Sequence, residues 1–347
     1  MDNTQRMDAL VWTGPRQMAL QSVPAPLPGS GEVLIAVGAV GICGSELSGY
    51  LGKSSLRVPP LIMGHEAAGT IATGNGILAD GTQGEPGLRV TFNPLVGCGS
   101  CSLCLTGRPN LCSKRQLIGA HRPGAFARYV AVPAKQCWRL PDQLSMSAGA
   151  LTETLACAVR AVGLAGIGSG DRVLIFGAGP IGLGCLLVAR ELGASVVVSD
   201  LSEGRLAIAR SWGAAHVIPA ATSDLVSTVK ELVPDGIHRS IDAVGAARTR
   251  ADSLRAVVPG GRAVWIGLHE EESSLPAHIL IRNEISVTGS FAYANADFER
   301  ALELQQRGLF APAADWLEER PLEAGADAFA ELVEGKARAA KILLRVG

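Results

Sequence analysis

The chain of 347 residues lacks an excess of charge of either sign: 31 basic side chains stand against 32 acidic ones, and charged residues make up only 18%. That balance removes the electrostatic footprint of a polyanion-binding protein. At 48% hydrophobic residues the chain is also not a disordered one, which would have too little apolar surface to offset the entropy of ordering. Long apolar runs are missing as well. The most apolar of the long uncharged stretches, Val173 to Ala189, is short for a bilayer span and is broken by Gly177, Gly179, Pro180, Gly182 and Gly184. A buried strand, turn and helix is the expectation there. The opening Met1 to Arg6 has no apolar segment before a small-residue cleavage site, so no secretory signal is read and the expected compartment is the cytoplasm. Internal repeats and low-complexity segments are absent too. What the chain does have in unusual number is 42 glycines and 8 cysteines, and their positions carry the argument.

Length alone predicts two domains, each able to bury a sizeable core. Up to about residue 150 the chain is rich in short β-type runs separated by Pro and Gly, such as Val33 to Val37 after the turn-rich Pro24 to Gly31. From about 154 short apolar strands alternate with helical stretches: Val173 to Phe176, Ser195 to Ser199 and Ala263 to Ile266. That alternation predicts a parallel sheet covered on both faces. After about 288 a helix is expected with Asn295 as N-cap and an end near Gly308. A second helix places Phe329, Leu332 and Val333 on one face, and Ile342 to Val346 reads as a strand able to return to the first domain's sheet.

The strand Val173 to Phe176 leads into Gly177-Ala178-Gly179-Pro180-Ile181-Gly182 and then into a helical stretch, which is the context a dinucleotide fingerprint needs. Gly177 permits the tight turn, Gly179 lets backbone approach a pyrophosphate, and Gly182 allows close helix packing. The helix N-terminus offers its free N–H groups to the anion. An acidic residue about 20 positions on is expected to accept hydrogen bonds from the adenosine ribose, and Asp200 stands there at the end of the next strand. A carboxylate would repel a 2′-phosphate, so the cofactor read is NAD. Arg205 is assigned to stacking on adenine, with pairing to a phosphate as the other reading.

Cys98, Cys101, Cys104 and Cys112 fall within one glycine-containing loop, with the spacing of four thiolates wrapping one ion. Four sulfur ligands make a closed tetrahedral zinc site with no position left for water, hence a structural one. An iron–sulfur cluster uses the same ligand set. No basic stripe accompanies the loop, so a nucleic-acid module is not read. Cys137, Cys157 and Cys185 have no such partners and read as small buried apolar residues. A dispersed set remains: Cys43 in Gly41 to Glu46, His65 and Glu66 in Gly64 to Gly69, and Glu153 in Leu151 to Leu155.

Taken in order, Pro26 to Val33, Gly41 to Glu46, Gly64 to Glu66, the cysteine loop, Glu153, Gly177 to Gly182, Asp200 and Lys341 to Leu344 make the chain resemble the zinc-dependent medium-chain dehydrogenases. That superfamily includes the alcohol and polyol dehydrogenases, and the resemblance runs along nearly the whole sequence. It implies a fold of class α/β plus β: a GroES-like catalytic domain made of 1–153 and 288–347, interrupted by a Rossmann domain, a doubly wound parallel sheet, at 154–287. The active-site cleft is implied between them. The same resemblance implies that Cys43 and His65 bind a catalytic zinc, with Glu66 or Glu153 completing the set, and that Ser45 relays the substrate's hydroxyl proton. Glu153 favours the polyol-type branch. Two departures from the family pattern stand out: Glu46 where Asp is common, and Ser48 where His is frequent. Glu46 would still accept the free ring N–H of His65, and without a histidine at 48 the last proton step is left to water or another group. Val244, Gly245, Gly267, Leu268, Ser290 and Phe291 are implied along the nicotinamide, and Tyr50 and Tyr293 are candidates for the substrate pocket or for ordinary packing.

The function this implies is hydride transfer between NAD(H) and an alcohol/ketone pair, most simply a polyol or secondary alcohol, with two zinc ions per chain. Zinc acts as Lewis acid on the bound alcohol. Threonine or sugar-phosphate oxidation is the alternative within the family, and a non-catalytic NAD-binding role is the alternative outside it. The expected partner is a small-molecule alcohol, with no nucleic acid and no membrane. A homotetramer is expected, a dimer next.

Overall fold

The computed structural model describes residues 5–221, 224–310 and 316–347. Residues 1–4 of the N-terminal segment lie outside the described residues. The chain divides into two compact units, one formed by Met1–Glu153 with Ala294–Gly347 and the other by Thr154–Tyr293.

The first unit is built on a seven-stranded sheet around the strand Glu32–Gly41, which is buried along most of its length and therefore reads as a nearly continuous apolar run. Glu66–Thr73 and Tyr129–Pro133 pair with it antiparallel, and the chain's last strand, Lys341–Arg345, returns to it with Leu344 opposite Val40. Leu317–Pro321 then adds in parallel to that terminal strand. Because the two ends of the chain share one sheet, neither stretch closes the unit alone. Its core gathers Trp12, Ile35, Phe92, Phe126 and Leu344. The helix Gly325–Val333 seals one side by placing Phe329 edge-on to Phe126, ring centroids 5.6 Å apart.

In the second unit all six strands run parallel, in the spatial order His216–Pro219, Ser195–Asp200, Arg172–Phe176, Ile237–Asp242, Val257–Trp265, Ser286–Gly289. In chain order this is third, second, first, fourth, fifth, sixth, the doubly wound arrangement whose strand order reverses beside the first strand. Helices such as Pro180–Glu191, Glu203–Ser211 and Ala247–Arg255 make the crossovers. Leu174, Phe176, Val197, Ile237 and Leu254 fill the interior.

Two local expectations are corrected. A domain boundary at 287/288 would cut the strand Ser286–Gly289, whose residues pair in register with Arg262 to Trp265, so the sheet keeps that whole strand and the division falls after Tyr293. The helix expected to be capped by Asn295 has Ala294 at the cap, and the carboxylate of Asp297 accepts the Ala294 N–H at 2.8 Å. Asn295 is the first helical residue, and its side-chain oxygen accepts instead from Asn93 Nδ2 at 2.9 Å. Among the described residues no helix is long and apolar enough to cross a membrane.

Candidate functional site

Strand pairing assembles the dispersed set. Gly41 lies opposite Glu66 in the central antiparallel pair, so Cys43, just past the end of one strand, meets His65, just before the start of the other. The donor atoms of Cys43, His65 and Glu66 all lie within 4.8 Å of one another. Glu46, one turn into the helix Gly44–Tyr50 and fully buried, holds them in place. Its Oε2 accepts the Cys43 N–H at 3.0 Å, while Oε1 accepts the Gly64 N–H at 2.7 Å and sits 2.8 Å from His65 Nδ1. With Nδ1 engaged, the ring presents Nε2 to a metal. Burial opposes ionisation of Glu46, yet the charges of His65 and Arg57 hold its carboxyl below the usual range. Burial likewise works to discharge His65, and the Glu46 carboxylate with Cys43 reverses this and raises the ring's basicity well above normal. Surroundings that favour a proton so strongly on a buried imidazole also favour a metal cation, so the donor set fits zinc.

Glu66 is paired with Lys341 Nζ, both side chains 2% exposed, and Lys341 also donates to the Ile42 carbonyl at 3.0 Å. Burial disfavours the lysine's charge, but Glu66, Cys43 and Glu153 keep it charged. Glu153, in the first turn of the helix Thr152–Ala165, is buried near enough to act on Lys341 but lies outside the 4.8 Å donor set. Ser45 Oγ donates to Cys43 Sγ at 3.5 Å, and Arg57 Nη2 donates to the same Ser45 oxygen at 3.4 Å. Arg57 and the role of Lys341 were not legible in the sequence. Tyr50 packs: its hydroxyl donates to the Arg16 carbonyl at 3.2 Å and its ring lies 5.4 Å from that of Phe329. Tyr293 is fully buried.

The sulfurs of Cys98, Cys101, Cys104 and Cys112 also converge within 4.8 Å. Backbone N–H groups of Ser100 and Cys101 pull the Cys98 thiol down to about 5, whereas burial and neighbouring sulfurs push Cys104 up to about 11. Four thiolates this close repel one another unless a cation sits among them, which is the chemistry of a tetrahedral metal site. Elsewhere burial raises the Cys185 thiol to about 12, as suits a packing residue, and Cys137 is fully buried too, while Cys157 is only half-buried.

In the second unit the glycine loop leaves the strand Arg172–Phe176 where the sheet order reverses. Gly177 has φ +92°, and a Cβ on Gly182 would come within 1.8 Å of the Gly177 carbonyl oxygen. A Cβ on Gly179 would meet nothing within 4 Å, so the backbone there is open to close approach. Gly179 caps the helix Pro180–Glu191 without a side-chain hydrogen bond, which leaves the N–H groups of Ile181 and Gly182 to an anion such as a diphosphate. Asp200 ties the loop to the next strand. Its Oδ2 accepts the Ala178 N–H at 2.7 Å and Oδ1 the Ser202 N–H at 2.8 Å, and each oxygen keeps a second lone pair for a ribose hydroxyl. Arg205 stands exposed on the helix Glu203–Ser211.

Asp242 is the residue sequence reading missed on this side. Fully buried, it accepts the N–H groups of Val244 and Gly245 at 2.9 Å each and the Thr249 hydroxyl at 2.9 Å, while its own carbonyl receives the N–H groups of Ile266 and Gly267. Burial pushes its carboxyl up despite these donors. The loops carrying Val244 and Gly267 are thereby pinned backbone to backbone, and a Cβ on Gly245 would lie 2.2 Å from the Gly267 oxygen. Leu268 is 83% exposed, Phe291 39%, and the buried Ser290 Oγ has no partner. An orphaned hydroxyl beside two exposed apolar side chains fits a cofactor ring with a polar substituent.

Comparison with known proteins agrees with this geometry. Residues 29–142 match the alcohol dehydrogenase GroES-like domain family, and residues 180–307 match the zinc-binding dehydrogenase family. The sorbitol dehydrogenase of Bacillus subtilis strain 168 is 31% identical over 98% of this chain and 97% of its own length. Among solved structures, an alcohol dehydrogenase of Escherichia coli CFT073 complexed with NADH superposes with a TM-score of 0.89 at 28% identity, covering 98% of this chain and 99% of that one. A structure from Sinorhizobium meliloti 1021 bound to NADP gives a TM-score of 0.87 at 30% identity over 99% of this chain and all of the other. The two matched families, the near-complete overlap with a sorbitol dehydrogenase and the two thiolate-bearing donor sets together mean that the chain belongs to the zinc-dependent alcohol dehydrogenase family of medium-chain dehydrogenases/reductases.

Proposed function

We infer that the protein is an NAD-dependent, zinc-dependent oxidoreductase that moves hydride between NAD(H) and an alcohol/ketone pair, with a polyol or secondary alcohol as substrate. The observation that carries this reading is the donor set of half-buried Cys43 with buried His65 and Glu66, and the exposed Ser45 hydroxyl 3.5 Å from its sulfur. When bound there, zinc supplies a Lewis acid that polarises the substrate's hydroxyl oxygen.

The chain's own residues do the rest. Cys43 and His65 hold the ion and Glu46 keeps the imidazole in the tautomer that exposes Nε2. Glu66 would add a carboxylate whose charge Lys341 balances, and Glu153, close enough to act on Lys341, is the other carboxylate that would complete the set. Ser45 accepts the proton of the substrate hydroxyl as it passes its own to water, since position 48 holds serine. Val244, Gly267, Leu268, Ser290 and Phe291 border the nicotinamide ring, and Arg205 faces the adenine. A second zinc sits among Cys98, Cys101, Cys104 and Cys112 and supports the fold. We place the protein in the cytoplasm as a homotetramer, with a dimer as the simpler assembly.

A screen of NAD reduction over polyols, secondary alcohols, threonine and sugar phosphates, with and without a chelator, tests the reading. Activity is expected with a polyol or secondary alcohol, about two zinc ions per chain, and its loss when the catalytic ion is stripped. Undiminished turnover after complete stripping would sink the mechanism. Best turnover on threonine or a sugar phosphate would move the substrate class, and no turnover with tight NAD binding would leave a non-catalytic role.

Asp200 supports NAD over NADP because its carboxylate meets the ribose edge. Asp200→Ser is expected to raise the KM for NAD about tenfold, the worth of a hydrogen bond to a charged group, and to bring turnover with NADP into the measurable range. Steady-state kinetics with both cofactors decide it, and an unchanged NAD preference would count against this assignment.

A further inference from the structure

The segment between the helix Gly44–Tyr50 and the strand Leu61–Ile62 inverts the usual burial. Leu56 and Val58 are 48% and 72% exposed, whereas Arg57 between them is 5% exposed. The segment is turn and loop rather than strand, and one of these three consecutive residues turns inward. Here the one that turns in is the cation. Its Nη1 donates to the Ser45 carbonyl at 3.1 Å and lies 3.5 Å from Ser54 Oγ, and its Nη2 donates to Ser45 Oγ at 3.4 Å. The stem crosses the helix over Gly49, where a Cβ would lie 2.5 Å from Arg57 Cδ. The charge also acts on Glu46, the carboxylate that orients His65. A buried guanidinium is costly unless something needs it there.

Resting on the reading of Ser45 as the relay hydroxyl, we propose that Arg57 is a positioning residue for the hydride-transfer reaction: its guanidinium clamps residues 51–60 onto the helix Gly44–Tyr50 and holds the Ser45 hydroxyl oxygen in one position beside Cys43. The physical reason lies in how a hydroxyl relays a proton. Ser45 Oγ has two lone pairs and one hydrogen. With the hydrogen directed at Cys43 Sγ and one lone pair filled by Nη2, a single lone pair is left to take the substrate's proton. As that proton arrives, the hydrogen Ser45 already carries turns from Cys43 Sγ to a water and leaves with it, so the serine ends neutral. Arg57 gives up no proton in the step, because a guanidinium stays charged throughout the working range. It steadies the oxygen while that oxygen gains and loses charge.

A double-mutant cycle with a second, turnover-free readout tests this. Arg57→Met is expected to lower kcat about tenfold to a hundredfold with KM changed less than about threefold, the signature of a misplaced group rather than of lost binding. Arg57→Lys should restore only part of this, because a point ammonium does not span the Ser45 carbonyl and hydroxyl together. In the Ser45→Ala background the Arg57→Met change should add less than about twofold, since residues acting through one another are not additive. Gly49→Ala keeps the charge but displaces the arginine stem, and should copy the Arg57→Met defect with zinc content unchanged. Faster hydrogen exchange of the amides in 51–60 in Arg57→Met reports the clamp without any substrate. Additive costs in the cycle, or an unchanged kcat with unchanged exchange, would overturn the proposal. If the native protein oxidises no alcohol, the functional reading fails instead, and the exchange comparison alone decides the clamp.

Discussion

Replacing His65 by alanine is expected to lower kcat/KM for alcohol oxidation at least about a thousandfold while leaving NAD affinity unchanged, because Lewis-acid stabilisation is worth several kcal/mol and about 1.4 kcal/mol corresponds to tenfold. The ring is 4% exposed and shares its pocket with Cys43 and Glu66, so alanine removes the nitrogen donor and leaves a cavity between acidic groups. Glu46→Gln should be milder, about tenfold to a hundredfold in metal affinity or activity, as is usual for a group that orients a ligand. The amide keeps one acceptor where Glu46 now uses both oxygens for the Cys43 and Gly64 N–H groups and the His65 ring. Zinc content, NAD titration and kinetics measured on both variants give the ordering. Full activity in His65→Ala would remove the donor set from the mechanism.

The second large effect is on stability. Cys112→Ser is expected to lower the thermal midpoint by about 10 °C or more, with the remaining folded fraction still turning over substrate. Structural zinc sites in isolated peptides are worth about 10 kcal/mol or more, and a loss of a third of that shifts Tm by about 10 °C in a domain of this size. The loop that carries the four cysteines has little else to hold it. Its helical pieces are only Ser102–Leu105 and Pro109–Leu111, the first buries no residue, and Leu105 is 73% exposed. Without an apolar core of its own the loop would depend on a bound ion, with the fully buried Cys112 as the inner ligand. Differential scanning calorimetry with and without a strong chelator would show the effect, and an unchanged midpoint after the loop's zinc is removed would assign its stability to ordinary packing.

What was readable along the chain was whatever depends on neighbours in sequence. The glycine loop could be read because a strand, a tight turn and a helix follow one another, and the cysteine loop because all four sulfurs lie within one short segment. Asp200 was readable because one strand–helix–strand crossover sets its distance from the loop. Cys43, His65 and Glu66 were separately weak and became a set through resemblance, since the register that places Gly41 opposite Glu66 leaves no local signal. The cap at Ala294 escaped notice because Asp297, three residues on, provides the acceptor that Asn295 was expected to provide.

The sequence by itself therefore determined the parallel α/β sheet, the dinucleotide loop and the thiolate site, all set by periodicity and short spacing. Only the tertiary structure decided how charge is settled around the Cys43, His65 and Glu66 donor set. Lys341 reaches Glu66 because the last strand returns to the central sheet, Arg57 reaches Ser45 because one residue of a loop turns inward, and Asp242 joins two loops through its carboxylate and its carbonyl. Each is a buried charge, and a buried charge is tolerable only where long-range folding brings its partner.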